Sequence, residues 1–451
     1  MGVHAGGRGP GHLSRVTRFL GGFSPASLFA ASEPGAWYDP SDLTTMFQDS
    51  AGTTPVTATG QTVGRILDKS GRGNHATQSV LASRPIYGIE PLGGRRNFAR
   101  YTQQFDNAAW AGANTGGTGV APVITPDAAL APDGTMTADR IVFSLGGGTT
   151  TADVSRRRQT TTAADGISGT GTFSFWARTT DGVSSVNLLR ESSDGFAGNQ
   201  ITVTGSWQRF AITSATYTAG SSIGLGLRGG QTPAMPNTAD ILVWGAQLET
   251  GSTATAYQRV TDQWNVTEAG VPSVSYLAFD GTDDFLVTPT ITPGTNKVQV
   301  FAGVRKLSDA ATGVVAETSA SIGANNGAFV LSAPDSPATN LLGFASRGTA
   351  TRAAQATSTF SAPVTVVQTG IGDIAADTSV LRVNGSGVAS NTGDQGTGNY
   401  LAYPLYIGRR GGTSLPLNGR IYSLIVRFGA NLTADQISQT ETWVNSKTGA
   451  Y

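Results

Sequence analysis

The chain has 451 residues, enough for two or three domains that each bury a core. Only 13% of it is charged, 30 basic residues balance 30 acidic ones, and Gly fills 60 positions; such a surface has no long-range field to draw in nucleic acid or an anionic membrane. Cysteine is absent, which excludes disulfides and thiolate chemistry, and the longest apolar runs are strand-sized, far short of a membrane span.

In chain order, the first segment is MGVHAGGRGPGHLSRVTRFLGGFSPASLFA, with Arg8, Arg15 and Arg18 and no acid. It is rich in Gly and holds too little apolar surface to offset the entropy of ordering, so it reads as an extended basic arm over residues 1–26. Gly21, Gly22, Ser24 and Pro25 interrupt its apolar stretch and argue against a secretory signal. From Trp37 onward, short alternating runs separated by Gly, Asn, Asp and Pro predict strands, as at 172–178 (TFSFWAR), 221–229 (SSIGLGLRG), 240–248 (DILVWGAQL) and 297–306 (KVQVFAGVRK). Asn384 and Gly385 predict a tight hairpin turn within VLRVNGSGV. One helix is predicted at the end, capped by Thr433 with Gln436 three residues on, turning Ile437 and Trp443 inward to cover an edge or end of a sheet, and stopping before Gly449.

Two patterns carry a family resemblance. The succession NFARYTQQFDNAAW (97–110), APDGTMTADRI (131–141), TFSFWAR, SWQRF (206–210) and WGAQLETGSTATAY (244–257) resembles the carbohydrate-binding-module-like jelly rolls of phage virion proteins. SLFAASEPGAWYDPSDLTTMF (27–47), DKSGRGNHATQ (68–78) and RPIY (84–87) resemble the opening of the concanavalin-A-like (laminin-G-like) domains of phage tail-fibre and head-spike proteins. In that family a strand like YLAFDGTDDFL follows soon after the Arg-Pro. Here it lies at 276–286, followed by LYIGR (405–409) and LNGRIYSLIV (417–426). The resemblance therefore implies one lectin-like sandwich interrupted by a jelly roll, with 88–96 and 260–271 as the two connectors.

The chemical candidates each have a bland counterpart. Asp68, Lys69 and His75 in DKSGRGNHATQ suggest a catalytic or phosphate loop, but Lys69 precedes the glycines and no Gly-x4-Gly-Lys order is present. Gly71, Gly73 and Asn74 suit a tight turn tied by Asp68 or His75. A Ser-His-Asp hydrolase would have to use His4, His12 or His75, two of which sit in the arm. Asp280, Asp283 and Asp284 form the densest acidic cluster and equally suit a hairpin turn. Jelly rolls of the resembled kind often hold calcium, at positions that Asp106 and Asp240 match; two separated acids fall well short of the six to eight oxygens calcium takes. Of the seven tryptophans (Trp37, Trp110, Trp176, Trp207, Trp244, Trp264 and Trp443), most read as core, and Trp176 and Trp244 are expected to pack between sheets; Trp110 and Trp264, beside the connectors, are the sugar-stacking candidates. Arg156, Arg157 and Arg158 read as a solvated loop or a subunit contact.

The expected fold is all-β: two antiparallel β-sandwiches, a jelly roll (93–263) inserted into a discontinuous concanavalin-A-like domain (27–92 and 264–451), with a short C-terminal helix and the N-terminal arm. The resemblance implies a virion structural protein, a tail fibre or head spike, with no enzymatic activity. Its arm would contact other virion proteins, and its sandwiches would bind host-surface glycan. No catalytic, cofactor or metal residue is assigned, and the glycan contacts are left open. A homo-oligomer, most simply a trimer, is expected at the virion surface after synthesis in the host cytoplasm, with neither nucleic acid nor membrane insertion. A glycan depolymerase using two acids and a ligand-free decoration protein are the alternatives.

Overall fold

The computed structural model describes residues 22–113, 117–162, 167–196, 199–336 and 340–451. The predicted arm therefore lies outside the described residues up to position 21, with His4, His12, Arg8, Arg15 and Arg18. The protein is all-β apart from short 3-10 turns and, among the described residues, one α-helix at Ala434–Thr448. Its strands form four sheets, nearly all antiparallel.

The ten-stranded sheet runs, in order, Gln258–Asp262, Asn265–Glu268, Ile86–Pro91, Ser273–Asp280, Asn418–Phe428, Lys297–Lys306, Val364–Asp373, Thr378–Val383 and Ser386–Asn391, with Gly35–Tyr38 also paired to Asn418–Phe428. A nine-stranded sheet runs from Met46–Phe47 through Ala76–Thr77, Leu286–Ile291, Tyr403–Ile407, Val314–Thr318 and Ala328–Ser332 to Thr351–Gln355. Strand periodicity builds the core between them. Val298, Val300, Ala302 and Val304 point one way from a single strand and meet Phe329, Leu331 and Leu405. Strands from before and after residues 93–263 share these sheets: Tyr87 is registered with Leu277, and Thr77 with Val287.

Two five-stranded sheets, built from strands between Ala111 and Thr250, enclose a second core that includes Trp110, Phe173, Phe175, Ile241, Leu225 and Leu227. Residues 260–271, expected to be a plain connector, instead contribute to a hairpin: Gln258–Asp262 pairs with Asn265–Glu268 at the edge of the ten-stranded sheet. The reason is local, since Val260 and Val266 alternate inward and are both buried.

The helix has the predicted capping box and ends at Gly449, whose φ of 65° needs no Cβ to be accommodated. It covers the outer face of the ten-stranded sheet, where an edge or end was expected. Phe301, Val367 and Ile425 leave that face apolar, and Val444 and Trp443 close over it. Trp443 meets Trp37 edge-on, with 5.5 Å between ring centroids. Asn384 and Gly385 have φ of 50° and 77° and join the strands Thr378–Val383 and Ser386–Asn391, as the hairpin signal predicted.

Candidate functional site

The loop DKSGRGNHATQ is held by its own acid. Buried Asp68 accepts from Trp37 N (2.9 Å) and Ser70 N (2.8 Å) through one oxygen, and from Ser70 Oγ (2.8 Å) and Asn74 N (3.0 Å) through the other. His75 Nδ1 accepts from Asp68 N at 3.0 Å, and Lys69 pairs with Asp42 at 2.6 Å. With its polar groups committed in this way, the loop staples the first fragment to the sheet.

Trp176 and Trp244, expected between the sheets, lie on the opposite face of their sheet. Phe173, Phe175 and Ala177 occupy the inward positions of the same strand, so the period of two sends Trp176 outward. There Trp176, Trp244 and Tyr257 form a packed cluster, with Arg209 4.4 Å above the Trp176 ring. Trp110 is fully buried against Phe105 and donates to Tyr101 O, leaving it no face for a sugar. Trp264 is half-buried against the Tyr276 and Tyr422 cluster.

The three arginines expected in a loop are in the strand Val154–Thr160. Arg157 points inward and donates to Phe105 O (2.6 Å) and Asn107 O (3.1 Å). Arg156 and Arg158 point outward, register against Gly226 and Gly224, and reach Glu191 at 3.1 and 3.7 Å. The glycines leave room for the arginines to cross: a Cβ on Gly226 would sit 2.8 Å from the Cβ of Arg156.

Asp280, Asp283 and Asp284 bring their carboxylate oxygens within 4.8 Å of one another, the one such group among the described residues. They also make a turn: Asp280 Oδ1 accepts from Thr282 N (2.7 Å), Ser83 Oγ donates to Asp283 (2.5 Å), and Asp284 accepts from Asp280 N (3.0 Å). Burial, and then the charge of Asp280, push the Asp284 carboxyl up to about 7. Three acids are a partial ligand set for calcium. Asp240 does not fit the calcium role its position implied. Both oxygens of Asp240 are taken by Arg140 (2.9 and 2.5 Å), whereas Asp106 lies beside Asp139 and Arg157.

The feature with the most binding chemistry was not marked by any motif. On the outer face of the nine-stranded sheet, Val314, Ile322, Ala328, Val330 and Ala345 form an apolar cluster separate from the core. Beside it is a cavity of about 310 Å³, within the size range of small-ligand sites. Val314, Val330 and Leu415 give it an apolar floor, and Thr312, Ser332, Asp335 and Arg410 line it with polar groups. Arg410 Nε donates to Glu317 Oε2 at 2.8 Å, and the other oxygen of Glu317 accepts from Ile322 N at 2.7 Å. Glu317 is fully buried, which pushes its carboxyl up against the opposing pull of Arg410. Asp335 accepts from Ser332 Oγ (2.7 Å) and Gln355 Nε2 (2.8 Å). Leu415 sits at a φ of 51°, a conformation that costs a branched side chain on the order of 1 kcal/mol and that concentrates at binding sites. The contributing residues span 312–415, and the family-like LYIGR stops at Arg409, one position short of the arginine that matters here.

No family model matches the chain, and no curated protein sequence matches it. Among solved structures it is similar to a native heptameric SAP-like pentraxin from Limulus polyphemus, at 16% identity over 36% of this chain and 78% of that one, with a TM-score of 0.30. It is also similar to domain 4 of AbnA, a GH43 extracellular arabinanase from Geobacillus stearothermophilus, in complex with arabinotriose (15% identity, 42% of this chain and 82% of that one, TM-score 0.29). A third is the mouse laminin α1 chain, domains LG4-5 (12% identity, 59% and 86%, TM-score 0.25). At such scores the likeness is partial and identifies neither a ligand nor a reaction.

Proposed function

We propose that this chain is a virion surface protein, a tail fibre or head spike, that binds host-surface glycan and does not cleave it. The jelly roll is read as inserted into the concanavalin-A-like sandwich, and the basic arm as the attachment to other virion proteins. The single observation that carries the binding role is the cavity at Asp335 and Arg410. An apolar floor with a few fixed donors and acceptors matches a pyranose, which has a C–H face and a rim of hydroxyls. A binding role is favoured over hydrolysis because Glu317, the second acid nearby, is buried and held by Arg410, whereas a glycosidase needs two carboxyls flanking the bond. The virion role is supported by the motif resemblance in the sequence. Several copies per particle would multiply a weak single-site affinity through effective concentration.

A glycan array with the full chain and an Arg410→Ala variant tests the binding role: the parent is expected to retain sugars that the variant loses. Release of new reducing ends from a bound polysaccharide would instead make the protein a depolymerase. For the arm, deletion of residues 1–21, which stops short of the packed Phe23 and Pro25, is expected to leave the rest folded yet absent from purified particles, and truncated protein retained on particles would overturn the attachment role.

A further inference from the structure

Resting on the reading of this cavity as a glycan site, we infer that it selects uncharged pyranose rings and discriminates against carboxylated sugars, with Glu317 and Asp335 setting that preference. An arginine in a sugar site ordinarily invites a carboxylate, since its fork matches two carboxylate oxygens. Here the fork is already committed in part. Glu317, fully buried behind the lining, takes Nε of Arg410 and forms an ion pair with it at 2.8 Å. Arg410 can still donate to a hydroxyl, but its charge is compensated from within the protein.

Asp335 tips the balance further. Its partners among the described residues are Ser332 Oγ and the Gln355 amide, both uncharged. The charged groups on the lining are Arg410 and Asp335. Counting Glu317 behind Arg410, the site therefore carries one net negative charge, from −1 and +1 and −1. A uronate entering it would meet an uncompensated carboxylate in a partly desolvated pocket, where like charges repel far more than in water. A neutral ring would meet Asp335 as an acceptor for its hydroxyls and Arg410 as a donor, with Val314, Val330 and Leu415 beneath its C–H face. Glu317 is thus a positioning residue: it orients Arg410 and cancels its charge without touching the ligand.

The test is calorimetric titration of the full chain with the methyl glycosides of glucose, galactose and mannose, and with glucuronate and galacturonate. The parent is expected to bind at least one neutral glycoside about tenfold or more tighter than its uronate counterpart, the scale of a single charge-assisted hydrogen bond. Asp335→Asn removes the negative charge and is expected to shrink that ratio about tenfold. Glu317→Gln frees the charge of Arg410 and is expected to move the ratio the same way. Should Glu317→Gln fail to fold, Asp335→Asn at its partly exposed position carries the same readout. Uronates binding the parent as well as or better than neutral sugars would overturn the preference and leave the glycan site standing. A ratio unchanged in the folded variants would also overturn it. No binding of any of the five sugars would remove the glycan site and the preference together.

Discussion

The carboxyl of Asp284 titrates near 7 in the folded protein because it is buried and faces Asp280, against about 3.9 in an unfolded chain. Between roughly pH 4 and pH 7 the folded state therefore holds a proton that the unfolded state has released. The stability tied to this group is complete below about pH 4 and is lost as pH rises through 7. Asp139, pushed up to about 6 chiefly by burial, adds a slope of the same sign. Asp284→Asn, neutral throughout, is expected to flatten the melting profile between about pH 4 and pH 8 and to melt above the parent at pH 8; parallel profiles would count against it. The acidic cluster and its turn are visible in the string FDGTDDF. The burial that shifts one acid of the three is not, because it depends on the neighbours the fold brings. The same limit applies to Trp176. Its strand is legible, but which face turns to the core depends on Phe173 and Phe175 competing for the inward positions. Arg410, Asp335 and Glu317 meet only after three segments fold together, so no spacing in the sequence marks them.

Among the elements, the C-terminal helix was the most legible, since its capping box and terminal glycine are local signals. Replacing the cap, Thr433→Ala, is expected to cost about 1 kcal/mol, read as a lower urea midpoint with unchanged slope. A loss of several kcal/mol would mean that the cap also governs docking of Trp443 on Trp37. The strand Val154–Thr160 was the least legible. Three consecutive arginines look solvated, yet one is internal and two cross a pair of glycines on the neighbouring strand to reach Glu191. The signal was present as SSIGLGLRG, where glycine on every second position leaves space for longer side chains alongside.

For the whole molecule, the fragments before and after residues 93–263 pair in shared sheets, while no motif marked how the two cores join. The join is a polar network centred on fully buried Gln258. Its Oε1 accepts from Arg96 N (2.6 Å) and Asn97 N (3.2 Å), its Nε2 donates to Glu268 (2.9 Å), and its own N–H donates to Gln247 (2.9 Å). Arg96 also pairs with Glu268 at 2.9 Å, and Asn97 donates to Ala246 O at 3.0 Å. These bonds tie the strand Thr238–Thr250 of one core to the edge of the other. Gln258→Ala leaves several buried groups unpaired, at a cost of about 2 kcal/mol or more. Scanning calorimetry is expected to show the parent melting in one transition and the variant in two; an endotherm identical to the parent's would mean the network does not couple the cores.

Gly35–Tyr38 joins a sheet only by pairing with Asn418–Phe428, a partner made near the end of synthesis. At typical rates of about 5–20 residues per second, the nascent chain waits on the order of tens of seconds for that partner. Residues 111–250 meet no such delay, because both of their sheets are complete before the ten-stranded sheet can close. The ribosome thus imposes an assembly order that inverts the spatial one: the interior of the sequence hardens first, while the leading segment, with its buried Trp37 and Tyr38, stays exposed and in need of shielding.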